Sequence, residues 1–218
     1  MKTAIVIGAT GLVGNNIINK LLNDSRYEKI KVFGRRHLKI NNLKLEEYII
    51  EFDHLEDWKQ KITGDELYSA LGTTIKKAGS KEAQYKIDFT YQYEVARIAS
   101  ENNVSKILLV SSLGANSKSG NFYLRMKGEL EGAIQKLTFK NMFIFRPSIL
   151  VGDRTEKRFG ESVGIKLAEI FSKIPLFKKY RPVKAEEVAE SMIRSANIDY
   201  DNNITTIESE KIFDIANS

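Results

Sequence analysis

Tyr123 and Lys127 stand four residues apart in the stretch NFYLRMKGELEG, residues 121–132. On a helix that spacing puts two side chains on the same side. A phenol has a reference pKa of about 10. A neighbouring ammonium favours the phenolate and lowers that value. A phenol adjusted in this way serves as general acid in carbonyl reduction and as general base in alcohol oxidation. The same spacing also describes an ordinary helix face, and a short motif alone is weak support. Two serines, Ser111 and Ser112, come before the pair, with Ser112 eleven positions ahead of Tyr123. A serine at a strand end and a tyrosine on the next helix can converge on one substrate oxygen. In doubly wound sheets ligands lie over the carboxyl ends of the strands.

A second set of residues suits phosphate. VIGATGLVG carries Gly8, Gly11 and Gly14 in a G-x-x-G-x-x-G spacing between an apolar run and a helical pattern. Gly8 permits a tight turn, Gly11 lets the backbone approach a pyrophosphate, and Gly14 lets the helix pack closely on the sheet. The amide groups from Thr10 to Val13, at the helix start, would bind the phosphates. At the end of the second apolar run, VFGRRHLK, dinucleotide folds that use NAD place an acidic residue for the ribose 2′-hydroxyl. Gly34, Arg35 and Arg36 occupy that place here. A guanidinium there would pair with a 2′-phosphate, which favours NADP(H) over NAD(H). Two surface arginines in a basic chain are the plainer alternative. Asp53, in EFDHLED, falls where an adenine would lie or caps the helix after it.

Positioning these groups requires strands that end beside them. Short apolar runs at 3–8, 29–34, 46–52, 66–72, 106–112 and 142–148 read as strands, with a seventh at 203–208. Between them lie helical patterns: the one after the glycine loop, a long one over 80–102, and the one carrying Tyr123. In the last, Asn121 can cap and Phe122, Met126, Leu130 and Ile134 repeat at helical spacing. Further helices are expected near 160–173 and 184–197. Apolar strands alternating with helices argue for an α/β fold, a doubly wound parallel sheet with helices on both faces. The chain of 218 residues suits one domain, 1–218. The alternation loosens after residue 150, so 150–218 is expected to supply a small substrate-covering region.

Composition narrows the chemistry. Hydrophobic residues make up 42% and charged residues 28%, as in ordinary globular proteins. With no cysteine, disulfides, thiolate catalysis and Cys-type metal sites are excluded. Two histidines, His37 and His54, are too few for a His-based metal site. The net charge of +6 suits a phosphate-bearing ligand or simple solubility. The denser patch of Lys173, Lys178, Lys179, Arg181 and Lys184 reads as a solvated rim. No nucleic-acid-binding module is found, so no nucleic acid is expected. No apolar run reaches membrane-spanning length, and the first residues lack the long apolar core of a signal peptide. The expectation is a cytoplasmic protein with no membrane partner. Nothing in the sequence specifies a protein partner.

GATGLVG, VSS and YLRMK together resemble the cofactor loop, catalytic serine and Tyr-x-x-x-Lys of the short-chain dehydrogenase/reductases. RPSILVGDR and RPVKAEEVAESMI are similar to late segments of the extended and atypical members. ALGTTIKKAGS, SSLGANSKSGNFYLRMKGELE and FRPSILVGDR look like the atypical, NmrA-related subgroup that includes the HIV-Tat-interacting oxidoreductase-like proteins. The resemblance spans almost the whole chain. It implies a Rossmann fold with Ser112, Tyr123 and Lys127 as catalytic residues, Ser111 remaining the alternative serine. It gives Lys127 a second role on the nicotinamide ribose. It implies that Gly8, Thr10, Gly11, Leu12 and Val13 cradle the pyrophosphate. Leu71, Gly72 and Thr73 would pass beside the adenosine and pyrophosphate, and Pro147 and Ile149 would border the nicotinamide. The function expected is NADPH-dependent reduction of a small carbonyl compound. The alternatives are an NADP(H)-binding sensor of NmrA type without turnover, and a sugar-nucleotide epimerase or dehydratase, against which the short chain counts.

Overall fold

The computed structural model describes residues 1–152, 180–198 and 202–218. A parallel seven-stranded sheet runs through the molecule. Its strands are β1 (Lys2–Ile7), β2 (Tyr27–Gly34), β3 (Leu45–Ile49), β4 (Glu66–Ser69), β5 (Lys106–Val110), β6 (Asn141–Arg146) and, last in the chain, β9 (Ile204–Glu208). Their order is β3-β2-β1-β4-β5-β6-β9. Chain order reverses between β1 and β4, and a crevice opens there above the carboxyl ends of the strands. This is the doubly wound Rossmann fold expected from the alternation of elements.

Side chains alternate across each strand. Ala4, Val6, Ile30, Val32, Leu108 and Phe143 face a core shared with α1 (Leu12–Leu22) and α6 (Ala185–Ala196). Ile5, Ile7, Phe33, Leu67, Ile107 and Leu109 face the other core, shared with α4 (Tyr91–Glu101) and α5 (Phe122–Ile134). Each fully buried Ile or Leu contributes about 2 kcal/mol of transfer free energy. Strands buried on both faces, such as β1 and β6, read as continuous apolar runs, and all seven expected strands are present in the sheet.

The long helix expected over 80–102 is divided. Ile75–Ala78 forms α2 and Lys81–Tyr85 forms α3; a wider π turn, Lys86–Thr90, then leads into α4. The turn carries Asp88 inward, where its carboxylate accepts the Thr73 N–H at 2.7 Å and its carbonyl accepts Gln92 Nε2 at 2.7 Å. β4 ends at Ser69, three residues before its expected end, because Leu71–Thr73 turns away to meet Asp88. The sequence also hid a two-stranded parallel pair, β7 (Leu150–Val151) with β8 (Val183–Lys184), and a terminal helix α7 (Ser209–Asn217). Two-residue strands carry no periodicity to read. The helix expected near 160–173 lies outside the described residues, as do Lys173, Lys178 and Lys179 of the basic patch. Of the stretch 150–218, β9 joins the main sheet and α6 packs on α1.

Candidate active site

Gly8 follows β1 with φ +81°, a conformation that favours glycine, and a Cβ there would lie 2.3 Å from Ala70 O. Gly14, on the first turn of α1, sits so close to the loop that a Cβ would lie 2.2 Å from Gly8 O. Gly11 is different. Its N–H donates to Gly8 O at 2.9 Å, and a Cβ would meet that oxygen at 3.1 Å and Ala70 O at 3.9 Å. The fold itself requires Gly8 and Gly14, and Gly11 is less tightly enclosed than either. Gly11 also caps α1 without any side-chain hydrogen bond. The first-turn amides of Leu12 and Val13 therefore face outward with the positive end of the helix dipole behind them. Thr10 is exposed beside them, whereas Val13 turns its side chain into the core.

A pocket opens from this loop to the end of β2. Gly8, Ala9 and Thr10 line one side, Gly34, Arg35 and Arg36 the other, with Phe52 and Leu71 closing it. Both arginines are exposed at its rim. Asp53, next to Phe52, caps no helix, for His54 precedes the short turn Leu55–Asp57. Its carboxylate accepts Lys86 Nζ at 2.8 Å and the Tyr91 hydroxyl at 2.9 Å. The Lys86 hydrogen bond, then Tyr91, holds that carboxyl below the usual range. Asp53 thus ties the β3 end to the π turn and α4 at the edge of the pocket.

On the other side of the crevice the two serines separate. Ser111 is buried and its hydroxyl donates to Glu131 of α5. Ser112 is half-buried, and its hydroxyl finds only Leu113 O, at a long 3.4 Å. Asn121 caps α5 as its position suggested, accepting the Leu124 N–H at 3.1 Å. Met126, Leu130 and Ile134 are buried as expected, while Phe122 lies only partly covered. Tyr123 stands exposed at the helix start, and Lys127 one turn later is buried with Nζ 3.4 Å from Val110 O. The connection from Ser112 to α5 is pressed onto the helix at Gly128, where a Cβ would lie 2.2 Å from Ser117 N. Asn116 N–H donates to Leu124 O at 3.0 Å in the same contact. The chain after Ser112 is therefore fixed against the helix of Tyr123 and Lys127. Pro147 accepts the Leu113 N–H at 2.9 Å, which places the β6 end beside Ser112, and Ile149 is exposed just beyond it.

Asp88 was not singled out from the sequence. It is buried on the π turn, below Gly72, and burial pushes its carboxyl pKa up while the Lys127 ammonium pulls it down. Lys127 thus has an acidic neighbour within its electrostatic reach. π turns are frequent at functional sites, but a single inserted residue leaves no periodic signature in one sequence. Glu131 and Arg146 were also missed, although Glu131 lies four residues beyond Lys127 on the same helix side. Among the described residues no cluster of His, Asp and Glu could hold a metal ion. Among them, too, no helix is long and apolar enough to cross a membrane.

The sequence profile of the family described as HIM1 matches residues 28–181. The chain belongs to the HIM1 family. FMP52 of Candida glabrata is 35% identical over 207 residues, covering 89% of this chain and 85% of that protein. HTATIP2 of Rattus norvegicus is 31% identical over 166 residues, covering 73% and 67%. The match to HTATIP2 agrees with the HIV-Tat-interacting oxidoreductase-like subgroup that its motifs resembled. Solved structures agree on the fold. The UDP-N-acetylglucosamine 4-epimerase of Methanobrevibacter ruminantium superposes with TM-score 0.69 at 14% identity, over 95% of this chain and 76% of that one. The Bordetella bronchiseptica enzyme WbmG, solved with NAD, gives 0.70 at 11%, over 99% and 77%. One expectation is overturned. The FMP52 proteins of Candida glabrata, Candida albicans and Saccharomyces cerevisiae are all named mitochondrial, which conflicts with a cytoplasmic assignment. A compartment is read by targeting machinery, and general composition does not encode it.

Proposed function

We propose that this protein is an NADPH-dependent reductase of a small carbonyl compound, with Tyr123 as its general acid. The observation that supports the reading is the state of three side chains. Tyr123 is exposed, Lys127 is buried one helical turn away, and Ser112 is left without a good partner. A polar group held at a strand end by one long hydrogen bond is available to a ligand.

The dinucleotide fits the residues present. The uncapped amides of Leu12 and Val13 would hold the pyrophosphate, over the open side of Gly11. Arg35 and Arg36 at the pocket rim would hold a 2′-phosphate, which supports NADP(H) over NAD(H). Phe52 and Leu71 would flank the adenine end, and Asp53 would border it. Gly72 and Thr73, held by Asp88, would pass beside the pyrophosphate. Pro147 and Ile149 would border the nicotinamide. Bound there, the dinucleotide would supply a hydride.

The chain's residues do the rest. The Ser112 hydroxyl donates to the carbonyl oxygen and fixes its direction. Tyr123 gives its phenolic proton to that oxygen as it gains charge, so the product is the neutral alcohol. Lys127 stabilises the phenolate left behind. It would also hold the nicotinamide ribose.

The test is Tyr123→Phe, which keeps the ring and its packing. Turnover of aldehydes, ketones and quinones, followed by NADPH absorbance, should fall on the order of 100-fold or more. NADPH affinity and melting temperature should stay at wild-type values. Full activity in Tyr123→Phe would reduce the motif to a helix face. A wild type that binds NADPH and reduces none of the panel would favour a redox sensor of NmrA type.

A further inference from the structure

Glu131 is buried, with 4% of its surface exposed, and it is ionically bound at the centre of the site's framework. Arg146, the last residue of β6, grips it with two parallel bonds, Nε to Oε1 at 3.0 Å and Nη2 to Oε2 at 2.6 Å. The Ser111 hydroxyl donates to Oε1 as well. The third nitrogen of Arg146, Nη1, reaches Glu208 at the end of β9 at 3.0 Å. One carboxylate thereby joins α5 to the carboxyl ends of β5 and β6, and through Arg146 to β9. The Glu131 hydrogen bonds hold Arg146 firmly protonated. A buried ion pair is a poor way to gain stability, since desolvation offsets most of the attraction. Its better-attested use is to fix one geometry. The geometry fixed here is the site's own. Glu131 follows Lys127 by four residues and Tyr123 by eight, so its anchor sets the rotation of that helix face. Its bond to Ser111 sets the turn on which Ser112 follows.

We propose that Glu131, clamped by Arg146, is the positioning residue of this site: it takes Ser111 out of the chemistry and leaves Ser112 as the serine aimed at substrate. This rests on the reductase reading above. Ser111 and Ser112 then differ in kind. Ser112 touches the substrate oxygen, while Ser111 only holds the strand end in register.

The test uses the full-length protein and two independent readouts. The first is amide hydrogen exchange in Glu131→Gln, whose amide nitrogen would face the Arg146 donors. Exchange over 111–134 should rise about tenfold, and that over the glycine loop 8–14 should stay unchanged. Should Glu131→Gln not fold, Arg146→Lys keeps the charge, loses the two-pronged grip, and is read the same way. The second is reduction of 9,10-phenanthrenequinone by NADPH. Ser112→Ala should cost about 100-fold in turnover, as loss of an oxyanion donor does. Ser111→Ala should cost about fivefold, the scale of one hydrogen bond. Equal losses in the two serine variants would overturn the proposal. So would unchanged exchange over 111–134, or a rise spread evenly over the sheet. An inert wild type would instead count against the reductase reading, and the exchange measurement would decide the role of Glu131 by itself.

Discussion

At the amino end of the sheet, Glu66 opens β4 and is buried. Its carboxylate accepts Lys2 Nζ at 2.7 Å, the Tyr27 hydroxyl at 2.6 Å and the Tyr68 hydroxyl at 2.9 Å. Asn197, just past α6, donates to Tyr27 at 2.9 Å and accepts Lys2 at 2.8 Å. Burial, and then the Glu66 charge, pushes both tyrosines far up, so they remain hydroxyl donors. At the carboxyl end, the same residue types stand apart. Tyr123 is exposed, Ser112 has one long contact, and the first amides of α1 have no side-chain cap. One end spends its polar groups on each other and closes. The other holds them in place, through Gly128, Asp88 and Glu131, without satisfying them. A tyrosine beside charged groups is therefore a structural bolt at one end and a candidate acid at the other, and only its partners tell the two apart.

The largest expected effect separates the glycines of the loop. Gly11→Val adds bulk on the side a pyrophosphate would approach and presses on Gly8 O at 3.1 Å, so NADPH binding should fall more than about 100-fold, with a smaller loss of melting temperature than in Gly14→Ala. Gly14→Ala drives a Cβ to 2.2 Å from Gly8 O and should damage folding itself. Fluorescence titration and thermal melts of both variants check this. Unchanged NADPH binding in Gly11→Val would make the loop purely structural. Next is Arg35→Asp, which puts a like charge beside a 2′-phosphate. The preference for NADPH over NADH should drop about ten- to a hundredfold, the scale of a charge-assisted hydrogen bond. Calorimetric titration of both cofactors measures it, and equal wild-type affinities would remove the basis for NADP(H).

At the closed end, Tyr27→Phe should cost about 1–3 kcal/mol of stability by leaving Glu66 and Asn197 short of a partner. It should leave turnover and NADPH affinity unchanged. A urea melt beside an activity assay reads both, and an activity loss without a stability loss would contradict the division between the two ends. The smallest effect concerns Asp88, a buried carboxylate like Glu66 but at the carboxyl end. Its pKa is raised chiefly by burial, so its charged form is penalised in the folded state. The sign follows: this group weakens the fold at neutral pH, and the penalty fades as pH falls toward the carboxylate range. Asp88→Asn keeps an acceptor for Thr73 N–H and removes the titration. The variant's stability advantage over wild type should therefore shrink between pH 7 and pH 4 in parallel melts. An advantage that grows as pH falls would reverse the assignment.

The sequence by itself determined the sheet. Residues such as Ala4–Ile7 and Ile107–Leu109 are apolar on both faces because both faces are covered, and that leaves a continuous run in one dimension. It also determined the glycine loop, because the positive φ of Gly8 and the packing of Gly14 on Gly8 O are backbone demands within a few residues that glycine meets. The Asn121 cap and the Tyr123–Lys127 spacing were legible for the same reason, being matters of a few neighbouring residues. What only the tertiary structure decided involves partners distant in the chain. Ser111 differs from Ser112 because Glu131, far along the chain, comes to meet it and is itself held by Arg146 of another strand. Asp53 proved to be a tie to Lys86 and Tyr91 and caps no helix. Asp88 became a buried neighbour of Lys127 through one π turn that no hydrophobic period announces. Side-chain chemistry is written residue by residue, but whether a polar group is satisfied depends on which other segment packs against it.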